Sequence, residues 1–127
     1  MKLLDTMVIV SALNPRDSYN KTAMSHIKSL RSAQDVYVPS SVLIELDLVL
    51  RNSGYFRNEI LETWGALAPL IGRKVAGTTP ATHETAATLR TGGMTYFDSL
   101  ITALALERKA VVVTRNVEIS RRVETEW

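Results

Sequence analysis

Three short, wholly apolar runs constrain this chain more than any other feature. Leu3-Leu4, Val36-Tyr37-Val38 and Ala110-Val111-Val112-Val113 show no alternation of polar and apolar residues. A strand without alternation has both faces buried, which is the mark of a parallel sheet covered by helices on each side. The segments between these runs carry apolar residues at helical spacing, as that architecture requires.

The spacing predicts the elements in order. Residues 2–5 read as a buried strand that leaves after Thr6 into a short helix, ended by Asn14-Pro15-Arg16-Asp17. Ser18 stands where it can cap a helix with Ala23, Met24, Ile27 and Leu30 on one face. Pro39 ends the second strand. Ser40-Ser41 offers an N-cap to a helix carrying Val42, Leu43, Leu46, Val49 and Leu50, which stops near Asn52-Ser53-Gly54. Tyr55 to Leu70 reads as a helix with Ile60, Leu61, Trp64, Leu67 and Leu70 on its apolar side.

Lys74 to Gly77 is a weaker third strand. Thr79-Pro80 opens a helix that runs to about Arg90 and ends at Gly92-Gly93. Residues 97–109 form a helix with Leu100, Ile101, Leu104 and Ala105 as its buried stripe, and a short helix follows the last strand from Val117. A length of 127 residues fits one domain, expected to span 1–127.

Composition narrows the chemistry. With 46% hydrophobic residues the chain can build a continuous core. The absence of cysteine removes disulfides, zinc–thiolate centres and cysteine nucleophiles. A net charge of +2 does not by itself mark a nucleic-acid binder. No run is long enough for a membrane span, and the first residues lack a signal-peptide pattern, so a cytoplasmic location is expected.

In an open parallel α/β fold, function sits outside the carboxyl ends of the strands. Asp5 ends the first strand there. Thr114 and Asn116 follow the last one. Asp98 falls in the first turn of its helix, and Glu45 lies on an otherwise greasy helix. A carboxylate that ends a buried strand must be hydrogen-bonded or metal-bound. Three carboxylates on one sheet edge repel each other unless a cation joins them, and an oxygen-only set without His or Cys selects a hard ion such as Mg²⁺ or Mn²⁺. Such an ion serves phosphodiester hydrolysis.

These residues, in this order, resemble the PIN domain over essentially the whole chain. Leu3-Leu4-Asp5-Thr6 looks like the first acidic motif of that family, and Val38 to Glu45 like the segment that brings in its helix-borne glutamate. Tyr96 to Ala103 is similar to the third motif, and Val112-Val113-Thr114-Arg115-Asn116 to the fourth. The resemblance implies a three-layer α/β/α sandwich with a central, mostly parallel sheet of four to five strands. It also implies a metal site on Asp5, Glu45 and Asp98 with Asn116 beside them, and endoribonuclease activity. PIN proteins of this size are mostly VapC-type toxins, which usually form homodimers and are held inactive by a VapB antitoxin.

The fourth motif departs from the family pattern, because Asn116 stands where an aspartate is usual. Its amide oxygen can still coordinate, but it carries no charge. Glu118 is the nearest substitute. Thr6 and Thr114 can set hydroxyls near the site. Arg115 and Arg16 are candidate contacts for RNA phosphates, and Lys28, Arg31, Arg90, Arg121 and Arg122 can extend that surface. His26 and His83 read as surface residues, and Trp64 as a core or dimer contact.

Other strand-end chemistries fail on particular residues. Asp5-Thr6-Met7-Val8 lacks the glycines of a dinucleotide-binding turn. A receiver domain needs a second acid beside Asp5 and a late lysine. A dehalogenase-type phosphatase needs an aspartate where Met7 stands. The competing function is a PIN-like RNA-binding or protein-interaction module with weakened catalysis.

Overall fold

A computed structural model describes residues 1–127. Five strands, β1 (Lys2–Leu4), β2 (Val36–Pro39), β3 (Val75–Ala76), β4 (Val111–Val113) and β5 (Thr125–Glu126), form one sheet in the order β3-β2-β1-β4-β5. Every neighbouring pair is parallel. Seven helices connect them: α1 (Thr6–Leu13), α2 (Asn20–Ser32), α3 (Ser40–Asn52), α4 (Arg57–Ile71), α5 (Pro80–Thr91), α6 (Tyr96–Arg108) and α7 (Val117–Ser120). The chain moves outward from β1 to β3, then returns to β4 on the other side of β1. The helices of the two halves cover opposite faces of the sheet, as crossovers of the usual right hand require, which gives the three-layer α/β/α sandwich.

The apolar runs behave as their lack of alternation requires. Leu3, Leu4, Val38, Val112 and Val113 are all fully buried, and they join Val8, Ile9, Leu46, Ile101 and Leu104 in one core cluster. The α5–α6 turn needs the left-handed backbone that glycine tolerates, and Gly93 supplies it at φ 99°.

Several local expectations are corrected. Asp5 is not a strand residue: it is the N-cap of α1, and its side chain accepts the Thr6 N–H. Tyr19, not Ser18, precedes α2, and Ser40 and Ser41 lie inside α3 because Pro39 takes the cap position. Met24 and Leu61 face solvent, since each sits one step off its helix's buried stripe. The fifth strand, too short and polar for a β signature, forms because Thr125 and Glu126 pair with Val112 and Val113. His26 is half-buried: its Nε2 is enclosed without a partner and its ring packs 5.7 Å from that of Trp127.

Candidate active site

The chain order reverses between β1 and β4, and a crevice opens outside the carboxyl ends of strands at such a reversal. Asp5 and Thr114 are the first residues beyond those two strands, held together by the Asp5 N–H bond to the Val113 carbonyl at 3.2 Å. Glu45 reaches the same crevice from α3, and Asp98 from the first turn of α6, whose N-terminal end favours a negative charge. Asp5, Glu45, Asp98 and Asn116 line one cleft of about 290 Å³, together with Thr6, Met7 and the apolar Val10 and Val49. None of the larger hollows on the surface gathers more than one carboxylate.

Every carboxylate of the cleft rests on a neutral donor. Asp5, only 5% exposed, accepts the Thr6 N–H on Oδ1 at 2.8 Å and the Thr114 hydroxyl on Oδ2 at 2.7 Å. The Thr6 hydroxyl donates to Glu45 Oε1. The Asn116 amide donates from Nδ2 to Asp98 Oδ2 at 3.1 Å. Thr6 and Thr114, expected near the site, are therefore the groups that hold two of its acids. As the side chains stand, no three acidic or histidine groups form a metal cage.

Charge is nonetheless stored in the cleft. Burial pushes the Asp5 carboxyl above its ordinary range; the bonds from Thr114 and Thr6 oppose the shift, and the charge of Asp98 adds to it. Burial likewise raises Glu45, against the Thr6 bond and with the charges of Asp5 and Asp98. Both acids favour the protonated form chiefly because burial removes water from their charged form, and the neighbouring carboxylates add to the shift. An oxygen-only set under that repulsion matches the preference of a hard divalent ion.

Asn116 takes a specific orientation. Its Oδ1 accepts the N–H groups of Glu118 at 2.9 Å and Ile119 at 3.3 Å, capping α7. Those donors require the oxygen on that side, so the NH₂ faces Asp98. In this arrangement the amide oxygen caps α7, and the residue meets the cleft as a donor to Asp98. Glu118 does not reach the cleft: it is exposed and pairs with Arg121 at 2.7 Å.

The candidate phosphate contacts do not gather at one point. Arg16 is exposed in the α1–α2 loop, where its backbone N–H donates to Asn14. Arg115 lies over the Tyr19 ring, 3.5 Å from its centroid, and 5.0 Å from that of Trp127. Arg90 donates to Ser99 and lies 5.0 Å over Tyr96. Sequence reasoning missed the parts of Met7, Tyr19 and Trp127. Met7 accepts the Arg115 N–H on its sulfur at 3.1 Å, a contact across 108 residues that no local pattern announces.

The fold and cleft define an open α/β protein with an acidic crevice at its topological switch point. The sequence model of the PIN domain family matches residues 2–124, and the chain belongs to that family. No curated protein sequence matches it. Among solved structures, it is similar to FitAcB from Neisseria gonorrhoeae at 23% identity and a TM-score of 0.75, covering 98% of this chain and 96% of that one. VapBC2 from Rickettsia felis, bound to a DNA fragment from its promoter, superposes with a TM-score of 0.76 at 20% identity, over 99% and 98% of the two chains. VapC20 of Mycobacterium tuberculosis, a toxin that cleaves the sarcin–ricin loop, gives 0.71 at 16%, over 95% and 94%. These likenesses establish a shared fold.

Proposed function

We propose that this PIN domain is a Mg²⁺- or Mn²⁺-dependent endoribonuclease of the VapC toxin type. The observation that carries this reading is one cleft that gathers the carboxyl groups of Asp5, Glu45 and Asp98, with burial raising the pKa of Asp5 and of Glu45 and no cation of the protein's own among the three. Asp5, Glu45 and Asp98 would hold the ion. When bound, it supplies the charge that polarises a phosphoryl oxygen and activates water.

The chain's own groups prepare that step. The Thr6 N–H and Thr114 hydroxyl fix Asp5, and the Thr6 hydroxyl fixes Glu45, so two of the acids are oriented before substrate arrives. Glu45, half-buried and raised, is suited to take a proton from water at the cleft. Val10 and Val49 line the same cleft and limit the water within it. The reading extends to a VapB-type antitoxin and to a homodimer. The antitoxin part is supported by the similarity to proteins crystallised as VapBC and FitAB assemblies.

A second reading, a PIN-like RNA-binding or protein-interaction module with weak catalysis, is favoured by Asn116, which donates to Asp98 where the family pattern has a fourth acid. Cleavage of single-stranded RNA in Mn²⁺ separates the two. Asp5→Asn should cut the rate about a hundredfold or more while preserving the fold. Equal rates for the wild type and Asp5→Asn, or no cleavage by either, would favour the module.

A further inference from the structure

A phosphodiester that approaches three carboxylates meets repulsion, so a nuclease built on this cleft needs a positive group close by. Arg115 sits between Thr114, which holds Asp5, and Asn116, which holds Asp98. Its backbone is tied to the cleft through Met7. Its guanidinium has no carboxylate partner among the ion pairs of the protein. Its central carbon lies over the Tyr19 ring, 3.5 Å from the ring centroid, with the Trp127 ring 5.0 Å away and edge-on to Tyr19 at 5.8 Å. Arg115 is exposed, and Tyr19 retains 40% of its surface.

An exposed planar cation backed by an aromatic ring is more than a phosphate contact. Bases of single-stranded RNA stack on aromatic rings and on arginine planes. Because Tyr19 and Trp127 hold the side chain in place beforehand, little ordering remains to be done on binding. The same pairing recurs near Asp98, where Arg90 lies over Tyr96, but Arg90 is half-buried and anchored on Ser99. The Arg115 stack is the more accessible of the two.

We infer that Arg115, Tyr19 and Trp127 form a nucleobase platform that holds an unpaired base of the RNA beside the acidic cleft. The inference rests on the ribonuclease reading for the identity of the polymer, but it concerns binding and not hydrolysis.

The test uses the full chain carrying Trp64→Phe, which leaves Trp127 as its one tryptophan. The probe is an oligouridylate of about ten nucleotides, with an abasic counterpart, titrated in EDTA so that no cleavage intervenes. The intact oligonucleotide should quench Trp127 emission. Tyr19→Ala and Arg115→Ala should each weaken binding about tenfold. Arg115→Lys keeps the charge but loses the plane, and should lose nearly as much. Abasic RNA should bind the unmodified platform no better than intact RNA binds Tyr19→Ala. Wild-type affinity in Arg115→Lys would overturn the platform in favour of a simple phosphate contact. Equal affinity for abasic RNA, or no binding at all, would also overturn it. Melting curves of each variant separate loss of the platform from loss of the fold. Normal binding without Mn²⁺-dependent cleavage would fault the nuclease reading alone, whereas normal cleavage with base-independent binding would fault the platform alone.

Discussion

At the amino end of the sheet, Lys74 Nζ rests on the carbonyls of Ala33 at 3.1 Å and Gln34 at 2.5 Å, and the amine of Met1 on Asp35 at 2.7 Å. At the carboxyl end, Asp5, Glu45 and Asp98 share a cleft with only hydroxyls and amides between them. At the amino end the Met1 amine and Lys74 each rest on an anion or a carbonyl of the protein. The carboxyl end is held together by neutral donors alone, the Thr6 N–H, the Thr6 and Thr114 hydroxyls and the Asn116 amide, which leave the charge of its acids unmatched.

Asn116 is the sharpest place to break this contrast. Asn116→Asp keeps a good cap for α7, but replaces the donor to Asp98 with a second charge. Without metal it should destabilise the fold by about 2–4 kcal/mol, through the lost bond and the new repulsion. With Mn²⁺ it should bind about tenfold more tightly than the wild type. Unchanged melting in EDTA together with unchanged Mn²⁺ affinity would remove Asn116 from the site.

A smaller effect is expected at Glu45, whose carboxyl binds its proton more readily in the fold than in the unfolded chain. The stability this contributes is complete below the unfolded carboxylate pKa and is lost as pH rises through the folded value. Glu45→Gln should therefore raise the ion-free Tm at neutral pH, with the gain vanishing near about pH 4. A gain of equal size at both pH values would trace to packing instead. The smallest effect belongs to a pair whose charges are already matched. Lys2, bonded to Glu126 at 2.5 Å and half exposed, should cost about 1 kcal/mol or less when changed to alanine. That loss should be the same with and without Mn²⁺.

Much of the architecture was legible in the sequence because it depends on local pattern. Leu3-Leu4, Val36 to Val38 and Val111 to Val113 become strands buried on both faces, and Thr79-Pro80 and Gly92-Gly93 bracket α5 as their backbone preferences dictate. The gathering of Asp5, Glu45 and Asp98 was legible because strand ends and first helical turns have fixed places in such a sheet. What stayed hidden depends on contacts distant in sequence. Nothing near Asn116 tells which way its amide turns; the N–H groups of Glu118 and Ile119 decide that once α7 has formed. Glu118 is drawn to Arg121 by helical spacing that competes with the cleft. Trp127, unreadable at the end of the sequence, is held against Tyr19, His26 and Arg115 once β5 has joined the sheet.

Calorimetric titration of Mn²⁺ into the ion-free protein at about pH 7.5, without RNA, tests the central claim most directly, because three carboxylates gathered in one cleft should take up a divalent ion if they form a metal site. The account predicts saturable binding that Asp5→Asn abolishes. Absence of binding, or equal binding by the wild type and Asp5→Asn, would contradict it.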